Sequence, residues 1–177
     1  RRHGARLVAS AIEHSVILET GTYAAAQAGA PALLPTVPVD RVGRPPLSAW
    51  PAAVNTPGTA LAALQHANGE VGTIQPIAEI GRLAKDHKIP LHTDAVQAFA
   101  NTPVKADDLN ADLITVSSHK IYGPKGVGAL YLRRRTPFVP QQQGGSHERR
   151  RRAGTENVPG IIGFSAAVSL LESLRQD

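Results

Sequence analysis

The chain has 177 residues, 42% hydrophobic and 19% charged, a composition that excludes disorder over most of its length. Its net charge is +5, but seven of its positive charges lie in two arginine runs, 133–135 and 149–152. The absence of cysteine excludes a disulfide framework, a thiolate zinc site and a cysteine nucleophile among these residues. No apolar run approaches the roughly 20 residues of a membrane helix, and the start lacks the apolar core of a secretion signal. Because methionine is also absent, we expect a processed or truncated product.

Short apolar runs alternate with stretches of helical periodicity along the chain. The predicted strands are 6–10, 32–39, 59–65, 89–94, 112–117 and 127–132. The predicted helices are 12–27, with Glu13 near its start, a segment whose first residue is Pro76, and 157–176. Prolines 45, 46 and 51 predict a surface connection between the second and third strands. Strands separated by helical lengths indicate an α/β fold with a mainly parallel sheet flanked by helices.

Polar clusters follow three of these strands, at positions 68–70, 92–97 and 117–120. In parallel sheets, ligands gather at the carboxyl ends of the strands. Partial desolvation there would lower the pKa of Lys120 and leave a nucleophilic amine. Ser117, Ser118 and His119 could bind a phosphate, and Asp94 could keep a heterocyclic nitrogen protonated. A lysine, phosphate donors and a carboxylate are what pyridoxal phosphate requires.

Other interpretations of the same residues remain open. Asp94 could simply cap a helix or a turn, and Lys120 could be an ordinary surface lysine. His92, Asp94 and His119 have the composition of an iron site with two histidines and one carboxylate. That metal site would leave Lys120 without a role.

The glycine-rich and arginine-rich segments carry less specific signals. Residues 122–128 lack the spacing of a phosphate-binding loop and indicate a tight turn before the next strand. Residues 144–157 are typical of a solvated loop or of a surface for nucleic acid or an acidic partner. The lack of interleaved aromatic residues argues against nucleic acid, and Gly154-Thr155 before a helix suits contact with an anion.

Several motifs, taken together, resemble those of the cysteine desulfurases, pyridoxal-phosphate enzymes of the class V aminotransferase group. In the family's order, the matching segments are 12–14, 68–76, 92–97, 118–126 and 154–157. The resemblance implies the large domain of a type I pyridoxal-phosphate transferase fold. It implies that residues 1–177 are part of that domain, without the family's N-terminal segment and C-terminal small domain.

The resemblance also implies roles at the cofactor ring. Lys120 would be the Schiff-base lysine and would move protons at the α-carbon of the substrate. Asp94 would pair with the pyridine nitrogen, and Gln97 would bind the phenolic oxygen. His14 would stack on the ring and act in acid–base steps. Asn68 is a further cofactor-binding candidate.

Ser117 and His119 would bind the cofactor phosphate. Thr155 would reach the phosphate of the partner subunit in a homodimer, near a dimer-facing loop that contains arginines 149–152. Two positions depart from the family's pattern. Gly69 stands where the family has an asparagine that faces the cofactor, and Arg150 stands where glycine is common.

The implied reaction converts L-cysteine to L-alanine and leaves sulfur as a persulfide on an enzyme cysteine, for iron-sulfur cluster or thio-cofactor assembly. The implied setting is a cytoplasmic homodimer that meets a sulfur acceptor or scaffold protein, with no nucleic acid and no membrane. These 177 residues alone would show little turnover. The alternatives are another class V enzyme, such as a selenocysteine lyase or a β-eliminating lyase, and a basic nucleic-acid-binding module.

Overall fold

The computed structural model describes residues 6–27 and 36–175 of the chain. Its strands are β1 (Arg6–Ser10), β2 (Thr36–Val37), β3 (Thr59–Ala63), β4 (Leu91–Asp94), β5 (Leu113–Ser117) and β6 (Gly128–Leu132). They form one sheet in the order β2-β1-β3-β4-β5-β6. All neighbouring pairs are parallel except β5 and β6, which are antiparallel. The predicted α/β fold with a mainly parallel sheet is therefore confirmed.

The helices occupy the connections between the strands and the C-terminal part. They are α1 (Ser15–Gln27), α2 (Trp50–Val54), α3 (Ile77–Asp86), α4 (His147–Arg150) and α5 (Val158–Leu174). Leu47–Ala49 and Ser118–Ile121 form short 3-10 helices. No helix within residues 6–27 and 36–175 is both long enough and apolar enough to cross a membrane.

Helix α3 shows how the sequence builds the core. Ile77, Ile80 and Ala84 recur at helical spacing and are 2% exposed or less, as the apolar stripe predicts. The helix begins at Ile77, so Pro76 is the residue before it rather than its first residue. This apolar face packs in one buried cluster with Val8, Val37, Trp50, Val54, Ala62, Leu64 and Leu91.

Two sequence predictions were wrong in detail. The prolines mark a connection that is only partly at the surface, because Pro46 and Pro51 are exposed, whereas Pro45 is buried and Trp50 in α2 is 0% exposed and belongs to the core. Helix α1 begins at Ser15 rather than at Ile12, because Glu13 is buried in the turn that leaves β1. Glu13 is therefore not a helix-start residue.

The other element boundaries differ from prediction by a few residues. Strand β3 ends at Ala63 rather than Gln65, and β4 begins at Leu91 rather than Ile89. The predicted strand 32–39 lies partly outside the described residues, and its described part forms β2. The Asn157 side chain accepts a hydrogen bond from the Gly160 amide at 3.2 Å. Asn157 is therefore the N-cap of α5 and not part of its first turn.

Candidate active site at the carboxyl edge of the sheet

Four parallel strands, β1, β3, β4 and β5, end at one edge of the sheet, and the predicted ring and phosphate ligands follow them. His14 lies beyond β1, Asn68 beyond β3, and Lys120 beyond β5, while Asp94 is the last residue of β4. The His66 amide donates to the Asp94 carbonyl at 2.8 Å, so the segment after β3 is joined to the end of β4. Sheet topology therefore gathers residues that are far apart in sequence.

Lys120 lies in the short 3-10 helix that follows β5, and its side chain is exposed. The helix ends at Tyr122, whose φ of 64° is left-handed. Gly123 then packs directly against the Ser118 hydroxyl, where a Cβ would collide with the oxygen. The glycine permits a tight turn beside the lysine, as the sequence predicted.

Ser117 and His119 form a polar pair beside Lys120. The Ser117 Oγ lies 2.7 Å from His119 Nδ1, and His119 is exposed. If the hydroxyl donates to Nδ1, the ring carries its hydrogen on Nε2. If Nδ1 donates instead, the hydroxyl hydrogen is free. Either arrangement leaves one donor for an anion.

Asp94 and Gln97 occupy the turn after β4. The Asp94 Oδ1 accepts the Val96 amide at 2.9 Å, so the residue also shapes the turn, as the simpler interpretation held. Gln97 is exposed and folds over Gly69. A Cβ at position 69 would lie 2.7 Å from the Gln97 Nε2, so the glycine makes room for this side chain.

Asn68 organises its own loop. Its Oδ1 accepts the amides of Glu70 at 2.9 Å and Val71 at 3.0 Å. Its Nδ2 donates to the Ile12 carbonyl at 3.4 Å. These contacts hold the β3 loop and join it to the β1 loop, and cofactor binding by Asn68 stays a prediction.

His14 is exposed at the start of α1, where its Nδ1 accepts the Val16 amide at 3.2 Å. This bond places the ring hydrogen of the neutral form on Nε2. The imidazole is therefore held at the edge of the site with an N–H to offer. Stacking on a ring and acid–base action by His14 stay predictions.

Glu13 is the site residue that sequence reasoning missed. It is 6% exposed, and its Oε1 accepts the Gln65 amide at 2.6 Å. Burial raises its pKa from 4.5 to about 8, the Gln65 hydrogen bond opposes the shift, and the charge of Asp94 adds to it. The available signal was an acidic residue placed between a buried strand and His14.

The iron-site alternative fails on geometry. His92 Nε2 lies 2.7 Å from Thr115 Oγ1 between β4 and β5, and burial lowers the His92 pKa. His119 is paired with Ser117 instead. Within the described part of the chain, no three histidine, aspartate or glutamate side chains group as metal ligands.

Thr155 lies in a different part of the molecule. It is exposed and lines an open groove with β6, Phe138, Phe164 and arginines 149, 151 and 152. The ring and phosphate candidates at the carboxyl edge do not line this groove. A role for Thr155 toward a partner subunit stays a prediction.

The two arginine runs also differ. Arg133 donates to Asp107 at 2.8 Å and to the carbonyls of Ala106 and Ala111, so it is a structural residue. Arg134 and arginines 149–152 are exposed. The seven arginines therefore do not form one free basic surface.

The side chains at the carboxyl edge fit pyridoxal phosphate. Lys120 offers an exposed amine for an aldehyde, Asp94 a half-buried carboxylate for a ring nitrogen, and Ser117 with His119 a donor for a phosphate. A lysine, a carboxylate and a hydroxyl–imidazole pair at the carboxyl edge of a mainly parallel α/β sheet suit a cofactor held by a lysine.

The comparisons with known proteins then give the family. The family model described as "Aminotransferase class-V" matches residues 1–177. The chain belongs to the class V aminotransferase family, and the predicted resemblance at that level is confirmed.

Curated relatives are cysteine desulfurases. The chain is 44% identical over 170 residues to the cysteine desulfurase IscS of Methanosarcina thermophila, covering 96% of this chain and 41% of that protein. It is 44% identical over 167 residues to the cysteine desulfurase IscS of Dictyoglomus turgidum, with 94% and 41% coverage. The chain thus spans about two fifths of the length of these relatives, as the resemblance implied.

Solved structures agree on the fold. A structure titled SspA in complex with cysteine is similar with a TM-score of 0.87 and 38% identity, over 94% of this chain and 47% of that one. A NifS-like protein is similar with a TM-score of 0.89 and 35% identity, over 98% and 47%. The predicted large-domain fold is therefore confirmed for these residues.

Proposed function

We propose that this chain is the cofactor-binding part of a pyridoxal-phosphate-dependent cysteine desulfurase. The observation that carries the proposal is the gathering of Lys120, Asp94 and His14 at one edge of the sheet. The names of the relatives support the reaction, which converts L-cysteine to L-alanine and passes sulfur to an enzyme cysteine as a persulfide.

Bound pyridoxal phosphate would supply an electron sink for the carbon that carries the amino group of the substrate. The Lys120 amine would hold the cofactor aldehyde and would move a proton at the substrate α-carbon. Asp94 keeps the pyridine nitrogen protonated, because a carboxylate favours the cationic form of a base beside it. Gln97 would bind the phenolic oxygen, and His14, whose Nδ1 accepts the Val16 amide, would have its Nε2–H free for acid–base steps.

The phosphate is bound by the Ser117–His119 pair, which keeps one free donor in either hydrogen-bond arrangement. Asn68 holds the neighbouring loop in place and contributes to the cofactor pocket. Thr155 would complete the phosphate site of a second subunit in the proposed homodimer. Its exposed position in the groove beside β6 is compatible with this role.

The sulfur-accepting step falls to residues beyond this sequence, which contains no cysteine. The 177 residues form part of a large domain, and the persulfide-forming cysteine and the small domain belong to the rest of the protein. We expect negligible sulfur release from these residues alone. Sulfur delivery to an acceptor or scaffold protein for iron-sulfur cluster or thio-cofactor assembly, in the cytoplasm, completes the proposal.

The test compares the full-length protein with its Lys120→Ala variant. We expect added pyridoxal phosphate to give the wild type a visible absorbance band and the ability to form alanine from cysteine. Lys120→Ala should lose the band and lower the rate by at least ~100-fold, the lower range for an essential proton-transfer group. Lys125→Ala, which changes an exposed lysine in the following turn, is the matched control and should keep both.

Absence of the band in the wild type, or its survival in Lys120→Ala, would refute the proposal. Cofactor binding with turnover of selenocysteine but not cysteine would favour the selenocysteine lyase alternative. Salt-sensitive binding of nucleic acid without cofactor binding would favour the basic-module alternative.

A further inference from the structure

Glu13 ties together two loops that are distant in sequence. It lies between β1 and α1, and its Oε1 accepts the main-chain amide of Gln65, 52 residues away, at 2.6 Å. The Gln65 side chain donates in return to the Ile12 carbonyl. Asn68 donates to the same carbonyl at 3.4 Å. The loop that carries His14 is thus held against the end of β3.

The second oxygen of Glu13 is buried and has no hydrogen-bond partner among the described residues. No basic side chain in residues 6–27 and 36–175 forms an ion pair with it. A buried carboxylate with one hydrogen bond and no cation is costly, because its charge is taken out of water without compensation. The same contacts suit a neutral acid, which carries no charge to compensate.

Charges around Glu13 add to this cost. Asp94, at the end of β4, is the charged group that acts on Glu13, and like charges disfavour a second ionisation. In the segment that follows β3, the group that contacts Glu13 is the uncharged main-chain amide of Gln65. His14 is exposed, and burial lowers the pKa of His66, which keeps that ring neutral. The pKa of Glu13 is accordingly raised to about 8.

We propose that Glu13 is a positioning residue: as a neutral carboxylic acid, it fixes the His14-bearing loop against the end of β3 and leaves Asp94 as the single negative charge beside it. The loop contact is independent of the reaction, whereas its importance for the cofactor rests on the proposed function. Ionisation of Glu13 would strengthen the single hydrogen bond from Gln65, but the larger cost of a buried charge would draw the carboxylate toward water and loosen that contact. It would also place a second negative charge near Asp94.

Hydrogen exchange in the full-length, cofactor-free protein tests the loop contact. Protection of segments 11–17 and 62–68 is compared between pH 7 and pH 9, corrected for intrinsic exchange, on either side of the Glu13 pKa of about 8. Wild type should lose protection on the order of tenfold across this range, as the ionised fraction rises. Glu13→Gln, which keeps the acceptor and cannot ionise, should retain it. Glu19→Gln, at an exposed position in α1, should behave as wild type.

An unchanged pH response in Glu13→Gln, or a wild type without one, would overturn the proposal. Should Glu13→Gln fail to fold, wild-type infrared spectra decide instead. The carbonyl band of a buried carboxylic acid at pH 6 that disappears by pH 9 supports the proposal, and its absence at pH 6 overturns it.

Cofactor affinity separates this proposal from the proposed function. The dissociation constant for pyridoxal phosphate should rise several-fold between pH 7 and pH 9 in wild type and less in Glu13→Gln. Failure of all variants to bind the cofactor contradicts the proposed function. The hydrogen-exchange result tests the Glu13 contact whether or not the protein binds the cofactor.

Discussion

Two regions of the molecule differ in burial. One is the carboxyl edge of the sheet around Glu13, and the other is the face formed by β6, arginines 149–152 and α5. At the edge, buried polar groups bond to one another across more than 50 residues of sequence. On the other face, Leu130 of β6 is 46% exposed and Ile162 of α5 is 64% exposed. The α4 segment of that face also contains three non-glycine residues with left-handed φ values, namely Glu148, Arg149 and Arg150.

The difference in burial determines which side-chain positions are fixed by contacts within the chain and which are not. Leaving buried amides unpaired is costly, and here the Gln65 amide is paired with Glu13, the Gln65 side chain with the Ile12 carbonyl, and the His66 amide with the Asp94 carbonyl. These bonds hold the segments after β1, β3 and β4 against one another. Exposed side chains pay no such penalty and are not fixed by it. The loops that carry His14 and Asp94 are therefore fixed by buried contacts, whereas Thr155 lies on the exposed face, and the roles of all three stay predictions.

The largest expected effect comes from matched leucine truncations in the two regions. Leu64, at the end of β3, is 0% exposed, and Leu64→Ala should lower the free energy of unfolding by about 2–5 kcal/mol because it leaves a cavity. Leu130→Ala in β6 should cost less than about 1 kcal/mol. Urea unfolding of the 177-residue chain measures both. Equal losses of unfolding free energy in the two variants would contradict the difference in burial between the two regions.

The next effect is a pH dependence confined to the buried edge. Between pH 4.5 and about 8 the folded chain keeps the Glu13 proton while the unfolded chain loses it. Unfolding then releases a proton, so the free energy of unfolding falls as pH rises, by about 1.4 kcal/mol per pH unit from this group. Glu13→Gln should remove that slope in urea unfolding at pH 5 to 8. Parallel wild-type and variant curves would contradict the assignment.

The smallest effect concerns the amino edge of the sheet, where β6 ends beside the start of β5, opposite the candidate site. Arg133 follows β6 and binds Asp107 and two carbonyls, so Arg133→Ala should cost about 1–3 kcal/mol through lost charge-assisted hydrogen bonds. Arg134→Ala, at an exposed neighbour, should stay within about 0.5 kcal/mol. Thermal unfolding compares the two variants. Equal shifts would mean that the Arg133 contacts contribute nothing to stability.

Most of the fold was predictable because its signals are local. The stripe of α3 has the periodicity that helix geometry imposes, and β5 is a short apolar run bounded by polar residues, although only Ile114 of it is buried. The burial of Trp50 could not be predicted, for the converse reason. The prolines around it suggested a surface turn, and only packing against α3 and the sheet shows that the short helix α2 closes the core.

The candidate site divides in the same way. The sequence by itself pointed to the lysine after β5 and the aspartate ending β4, because strand ends and chemical types are visible in a single chain, and His14 came from the family resemblance. Only the tertiary structure decided that Glu13 is buried beside Asp94 and bonded to Gln65, and that Gln97 lies over Gly69. Those facts depend on contacts between residues far apart in sequence, and burial, which sets the charge state of Glu13, arises only when the loops meet.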